Sequence, residues 1–166
     1  MASAAVYQYS PIQKFGNGMI SGSFVTKNKG PMRIILRDVV LPMGVQNYDS
    51  KWSALVSLGT NPIEELNELH LDVCQYLGAP FKIACPVRDV GYGNQIKVKF
   101  DDNSFFFDKT ATPSSIDFFK KKCKVDMLVE VGMVWFKKGQ EGGITLKALQ
   151  VKMLENQDHE ERQTND

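Results

Sequence analysis

Apolar and polar residues alternate with a period of two along much of this chain, and the main interruption marks its one helix. The longest alternating run is Val125, Met127, Val129, Val131, Met133 and Trp135. Successive side chains of a strand point to opposite faces, so these six are expected on one face, with Phe136 on the other. After a turn over 137–143, Ile144, Leu146 and Ala148 hold one parity, and Leu149, Val151 and Met153 hold the other. A one-residue parity switch inside a strand predicts a β-bulge, which bends and twists the pair. Residues 95–100 alternate as well, with Ile96, Val98 and Phe100 on one side and Lys97 and Lys99 on the other. Asp101, Asp102 and Asn103 read as the turn that returns this strand into Phe105, Phe106 and Phe107.

Residues 19–26, 32–41 and 52–58 predict three earlier strands, the first two separated by a Gly30-Pro31 turn. Residues 1–14 read as an irregular arm. Helical spacing occurs once, in Ile63, Leu66, Leu69, Val73 and Leu77. Asn61 as cap, Pro62 in the first turn and Glu64 three residues after Asn61 predict a helix over about 61–77, stopped by Gly78 and Pro80. A short helical turn is expected near Ile116. The pattern predicts a mainly β fold: a five-stranded, partly open barrel of the oligonucleotide-binding (OB-like) type, with one inserted helix and a long C-terminal hairpin. A flat β-sandwich is the other arrangement it allows.

Composition adds little except at the end of the chain. Of 166 residues, 43% are hydrophobic and 23% charged, with net charge +1, the profile of a single globular domain. From Glu155 to Asp166 five acids face Arg162 alone, net −4, so residues 1–154 carry +5. We expect one domain over 1–154 and an acidic tail over 155–166. The first residues lack a secretory pattern, and three widely spaced cysteines suit free thiols, so a cytoplasmic or nuclear location is expected.

Catalytic chemistry finds little support. His70 sits on the predicted helix and His159 in the tail. Cys74, Cys85 and Cys123 have no zinc-ligand spacing, and a Cys85–His70 nucleophile pair has no local support. Gly16-Asn17-Gly18 and Gly91-Tyr92-Gly93 lack the third glycine of a dinucleotide fingerprint. Neither enzyme activity, cofactor nor metal is expected.

Cations and aromatics, by contrast, interleave repeatedly. Single-strand binding needs a cationic groove for phosphates and flat side chains on which bases stack. Lys97 and Lys99 face away from the core parity. Trp135, Phe136, Lys137 and Lys138 cluster at the tip of the long hairpin, Lys147 and Lys152 lie on its return arm, and Arg33 and Arg37 alternate with apolar residues on an early strand. Trp135 is in phase with the core, so Phe136 is the expected stacking residue there. Phe106 is the outward member of its triplet if Phe105 and Phe107 face in. The candidate nucleic-acid-binding set is therefore Arg33, Arg37, Lys97, Lys99, Phe106, Phe136, Lys137, Lys138 and Lys147. The plainer reading of each is core packing or a solvated edge, and Lys120 to Lys124 read as a basic connection.

Val131-Gly132-Met133-Val134-Trp135-Phe136, a basic glycine-containing turn, and then residues 143–151 (GITLKALQV) resemble the closing strands of single-stranded DNA-binding proteins of bacteriophages and large DNA viruses. The resemblance covers about the last quarter of the chain. It implies an OB-like barrel that coats single strands without sequence preference during replication or recombination, often as a dimer. An acidic tail is part of that pattern, and it implies docking of replication proteins. Phage members commonly finish with an aromatic residue where this chain has Thr164-Asn165-Asp166. Stacking and phosphate contacts do not separate DNA from RNA. The alternative is a structural or scaffold component of a virion that self-assembles without nucleic acid.

Overall fold

The computed structural model describes residues 6–16, 20–79, 81–91 and 93–155. In chain order the strands before the helix are β1 (Tyr7–Tyr9), β2 (Gln13–Phe15), β3 (Ile20–Lys27), β4 (Gly30–Pro31), β5 (Arg33–Leu41), β6 (Val45–Tyr48) and β7 (Lys51–Leu58). Helix α1 (Thr60–Leu77) follows, then β8 (Lys82–Ile83), β9 (Arg88–Asp89), β10 (Asn94–Phe100), β11 (Phe105–Phe107), a single 3₁₀ turn (Ile116–Phe118), β12 (Cys123–Lys137) and β13 (Gln140–Glu155). The acidic tail beyond Glu155 lies outside the described residues.

The strands form one open, mixed sheet whose main path is β1-β3-β12-β13-β10-β7-β6. This corrects the expectation of a five-stranded barrel. It also corrects the pairing of β10 with β11. Both run parallel to β13, β10 meeting it at Lys147 and β11 at Gln150 to Lys152, whereas the antiparallel partner of β10 is β7. The N-terminal segment is not irregular either, because β1 and β2 both pair antiparallel with β3. Tyr9 of β1 donates a hydrogen bond to Asp72 of α1 and stacks on Tyr76 at 3.9 Å. Burial first, then that carboxylate, push the Tyr9 phenol upward from its ordinary pKa.

Helix α1 begins at Thr60 with Gly59 as N-cap, so Asn61 is the second helical residue rather than the expected cap. Pro62 becomes the third helical residue, where its missing N–H is again one with no partner inside the helix. Leu66, Leu69 and Val73 are fully buried in the core. His70 Nε2 lies 2.7 Å from the Ile83 carbonyl oxygen, so the ring N–H ties the helix to β8. Cys85 pairs not with His70 but with Asn67, its thiol donating to Oδ1 at 3.3 Å.

Among the described residues five register shifts interrupt the β12 pairings, and a polar side chain closes three of them. Leu149 is the extra residue on β13, since Leu128 pairs Gln150 while Val129 pairs Ala148; this is the parity switch read from the sequence. Ser104 Oγ donates to the Ala148 carbonyl at 2.6 Å. On β5, Arg37 and Asp38 lie between the paired residues Leu36 and Val39, opposite Asp126 alone. Asp126 Oδ1 accepts from the Asp38 N–H at 2.9 Å.

The third bulge decides the site. Val131 pairs Leu146 and Val134 pairs Ile144, so Gly132 and Met133 together oppose Thr145. Thr145 Oγ1 accepts from the Met133 N–H at 2.7 Å and donates to the Met133 carbonyl at 3.2 Å. A Cβ on residue 132 would lie 2.7 Å from that hydroxyl, so glycine leaves the space it occupies. Past the bulge the buried positions of β12 shift from Val125, Met127, Val129 and Val131 to Val134 and Phe136. We expect Thr145→Val to cost about 1–3 kcal/mol, the penalty for leaving a donor unsatisfied. It would be read as a lower urea midpoint; an unchanged midpoint would mean that solvent serves the Met133 amide equally well.

Candidate nucleic-acid interface

The outward face of β3, β12, β13 and β10 forms a groove. One part, about 630 Å³, is lined by Phe15, Phe24, Met133, Thr145, Lys99 and Lys147. The other continues past Lys97, Arg88, Trp135 and Gly143, and the two share Lys99, Thr145 and Leu146. Lys97 and Lys99 are exposed because they alternate with buried Ile96, Val98 and Phe100. Neither they nor Arg88 takes part in an ion pair among the described residues. Within the groove they are cations available to phosphate among the described residues.

Trp135 supplies the flat surface. The Gly132–Met133 bulge turns it out of the core, and it pairs with Gly22 on one side and Gly143 on the other. A Cβ on residue 143 would sit 3.0 Å from Trp135 Nε1, so the glycine lets the indole lie close to the sheet. Phe24, paired with Met133, is 47% exposed. An aromatic held this way loses little conformational freedom when a base stacks on it.

Two of the expected stacking residues are displaced by these bulges. Phe136 is only 4% exposed and packs edge-on to Phe81 at 4.9 Å. It is core, and Trp135, half-buried on the outer face, takes the place in the groove expected for it. Phe106 is also turned inward, with ring centres 5.4 Å from Phe100 and 5.3 Å from Phe119. Its neighbour Phe105 is 58% exposed, because β11 aligns with β13 beyond the Leu149 bulge.

The remaining cations divide between bound and free. Lys147 reaches the groove, but its Nζ lies 2.8 Å from Asp101 Oδ2, and the hydrogen bond from Lys147 lowers the Asp101 pKa. Arg33 is held by Glu130 at 2.9 Å and Arg37 by Asp126 at 3.7 Å, both across the β5–β12 pair. Arg37 opens onto a separate depression with Ile35 and Lys152. Lys137 and Lys138 lie at the hairpin tip, beyond Trp135 and without ion pairs among the described residues.

Sequence reasoning missed Phe15, Phe24, Arg88, Met133 and Trp135. The available signal was Gly132, because a glycine inside a strand marks a bulge, and a bulge there reverses every later residue. Among the described residues no group of three His, Cys, Asp or Glu side chains is placed to hold a metal.

No protein-family model matches the chain, and no curated protein matches it. Solved structures do share its fold. The crystal structure of gp2.5, a single-stranded DNA-binding protein encoded by bacteriophage T7, is 13% identical, with 74% of this chain and 91% of that chain covered and a TM-score of 0.53. The C-terminally truncated single-stranded DNA-binding protein of bacteriophage Enc34 is likewise 13% identical, with 90% and 95% covered and a TM-score of 0.51. At this identity the likeness is one of fold.

Proposed function

We propose that this protein binds single-stranded DNA without sequence preference, as a non-catalytic component of DNA replication or recombination. The observation that carries the reading is the groove, where Lys97, Lys99 and Arg88, without ion pairs among the described residues, stand beside Trp135 and Phe24. Cations along a concave track follow the phosphates, and exposed rings take bases of any identity, which favours affinity without sequence readout. The fold shared with phage proteins described as single-stranded DNA-binding supports the same reading. On it, the open sheet is a divergent OB-like fold, acting inside the cell, with a homodimer and tail-docked replication proteins as its expected partners.

Fluorescence anisotropy of labelled oligo-dT, titrated at several salt concentrations against a duplex competitor, tests it. Each phosphate neutralised on a single strand contributes about 0.7 to the slope of log K against log salt. Replacing Lys97 and Lys99 together by alanine is expected to reduce that slope by about 1.4 and weaken binding to every sequence equally. An unchanged slope would remove both lysines from the interface. Failure of the parent protein to bind at low salt would sink the reading. The alternative, a self-assembling structural protein, draws on the exposed Ile35 and Phe105; concentration-dependent sedimentation without DNA would favour it.

A further inference from the structure

A second surface of the same chemistry lies away from the groove, around the loop that enters β12. Lys120, Lys121 and Lys122 are all exposed, and none is ion-paired among the described residues. Phe118 beside them is 61% exposed and Tyr48, at the β6–β7 turn, 78%. Backbone contacts fix this loop. The Val45 N–H donates to the Phe119 carbonyl at 3.0 Å and the Lys122 N–H to that of Leu41 at 2.8 Å. Gly44 lies so close that a Cβ there would be 2.6–2.8 Å from the backbone of residues 119–121. The three lysines therefore project from a fixed platform.

This platform connects to the groove. A depression bounded by Lys120, Lys121 and Trp52 shares Trp52 and Ile116 with a second, which holds Lys51 and Asp102. That second depression shares Phe100 and Asp101 with the Phe24–Lys147 part of the groove. Along this connection Lys51, Lys120 and Lys121 accompany Asp102 and Asp117, net +1, with exposed Lys122 next in the chain, while Asp101 is met by Lys147. Trp52 is the half-buried aromatic midway along it.

We infer that the single strand bound in the groove continues past Asp101 and over Trp52 to the Lys120–Lys122 platform, so that the binding track has two segments. The inference rests on the proposed function and extends it to a longer footprint. Its consequence is that short oligonucleotides fill only the first segment.

The chain's two tryptophans, Trp52 and Trp135, fall one in each segment, so intrinsic fluorescence reports on them separately. In the full chain, Trp52→Phe leaves Trp135 as the sole reporter and Trp135→Phe leaves Trp52. We expect oligo-dT of about 8 nucleotides to quench Trp135 alone, and about 25 nucleotides to quench both. Lys120, Lys121 and Lys122 replaced together by alanine should leave the short oligonucleotide's affinity unchanged and lower the long one's salt slope by about 2. Trp52 fluorescence insensitive at both lengths, with an unchanged slope in the triple variant, would overturn the second segment and leave the groove intact. No quenching of Trp135 and no binding at either length would remove both segments together.

Discussion

Phe136→Ala is expected to lower the unfolding free energy by about 3–5 kcal/mol, the usual cost of deleting a buried phenylalanine. The ring is enclosed, meets Phe81 edge-on at 4.9 Å, and lies on β12 between β3 and β13. Its removal leaves a void where the sheet passes under the segment that follows α1. Small domains hold about 5–15 kcal/mol in total, so the variant would unfold at much lower urea. At temperatures where it stays folded, its affinity for oligo-dT should match that of the parent. A variant of undiminished stability that had lost DNA binding would return Phe136 to the interface.

Trp135→Ala, one residue away, is expected to do the opposite. Stacking contributes about 1–3 kcal/mol per base, so affinity for oligo-dT should fall about 5- to 150-fold. The salt slope should not change, because no phosphate contact is lost. Stability should move little, since the indole lies on the outer face against Gly143 rather than inside the core. Equal loss of stability and affinity would mean that Trp135 organises the groove without stacking. The pair is informative because one bulge, Gly132–Met133 opposite Thr145, assigns the two roles.

That bulge also marks where the sequence stopped being readable. The positions of β3, β5, β7, β10, β12 and β13 and of the helix follow from local periodicity, and so does the Leu149 bulge, because apolar residues flank the switch on both sides; β1, β2, β6, β8 and β9 are too short to show a period. At Gly132 the pattern Val131, Met133, Trp135 continues unbroken, since Met and Trp are apolar whether they face a core or a groove. The decisive contact is a Thr145 hydroxyl from another strand, which alternation does not encode. The same limit hid the partners of β10 and β11. A turn such as Asp101-Asp102-Asn103 suggests a hairpin, whereas the chain steps from one stretch of β13 to the next, and Ser104 anchors it to Ala148. Lys97 and Lys99 were legible as exposed cations because β10 is regular. Arg33, Arg37 and Lys147 were equally visible, but their carboxylate partners on other segments were not.

The central place of β13 bears on how the chain is made. Among the described residues every ladder joining β3, β5 and β12 to β6, β7 and β10 passes through β13, and β8 and β11 have no other strand partner. A nascent chain halted at residue 139 therefore holds two half-sheets with no strand ladder between them among the described residues. Assembly waits until residues 140–155 have left the ribosome, and then requires contacts distant in sequence, the kind that close slowly. Through that interval β10 and β12 each carry an unpaired edge, and both edges invite pairing with another chain. Aggregation during synthesis, rather than loss of DNA binding, is what a stop codon anywhere between β12 and the end of β13 should produce.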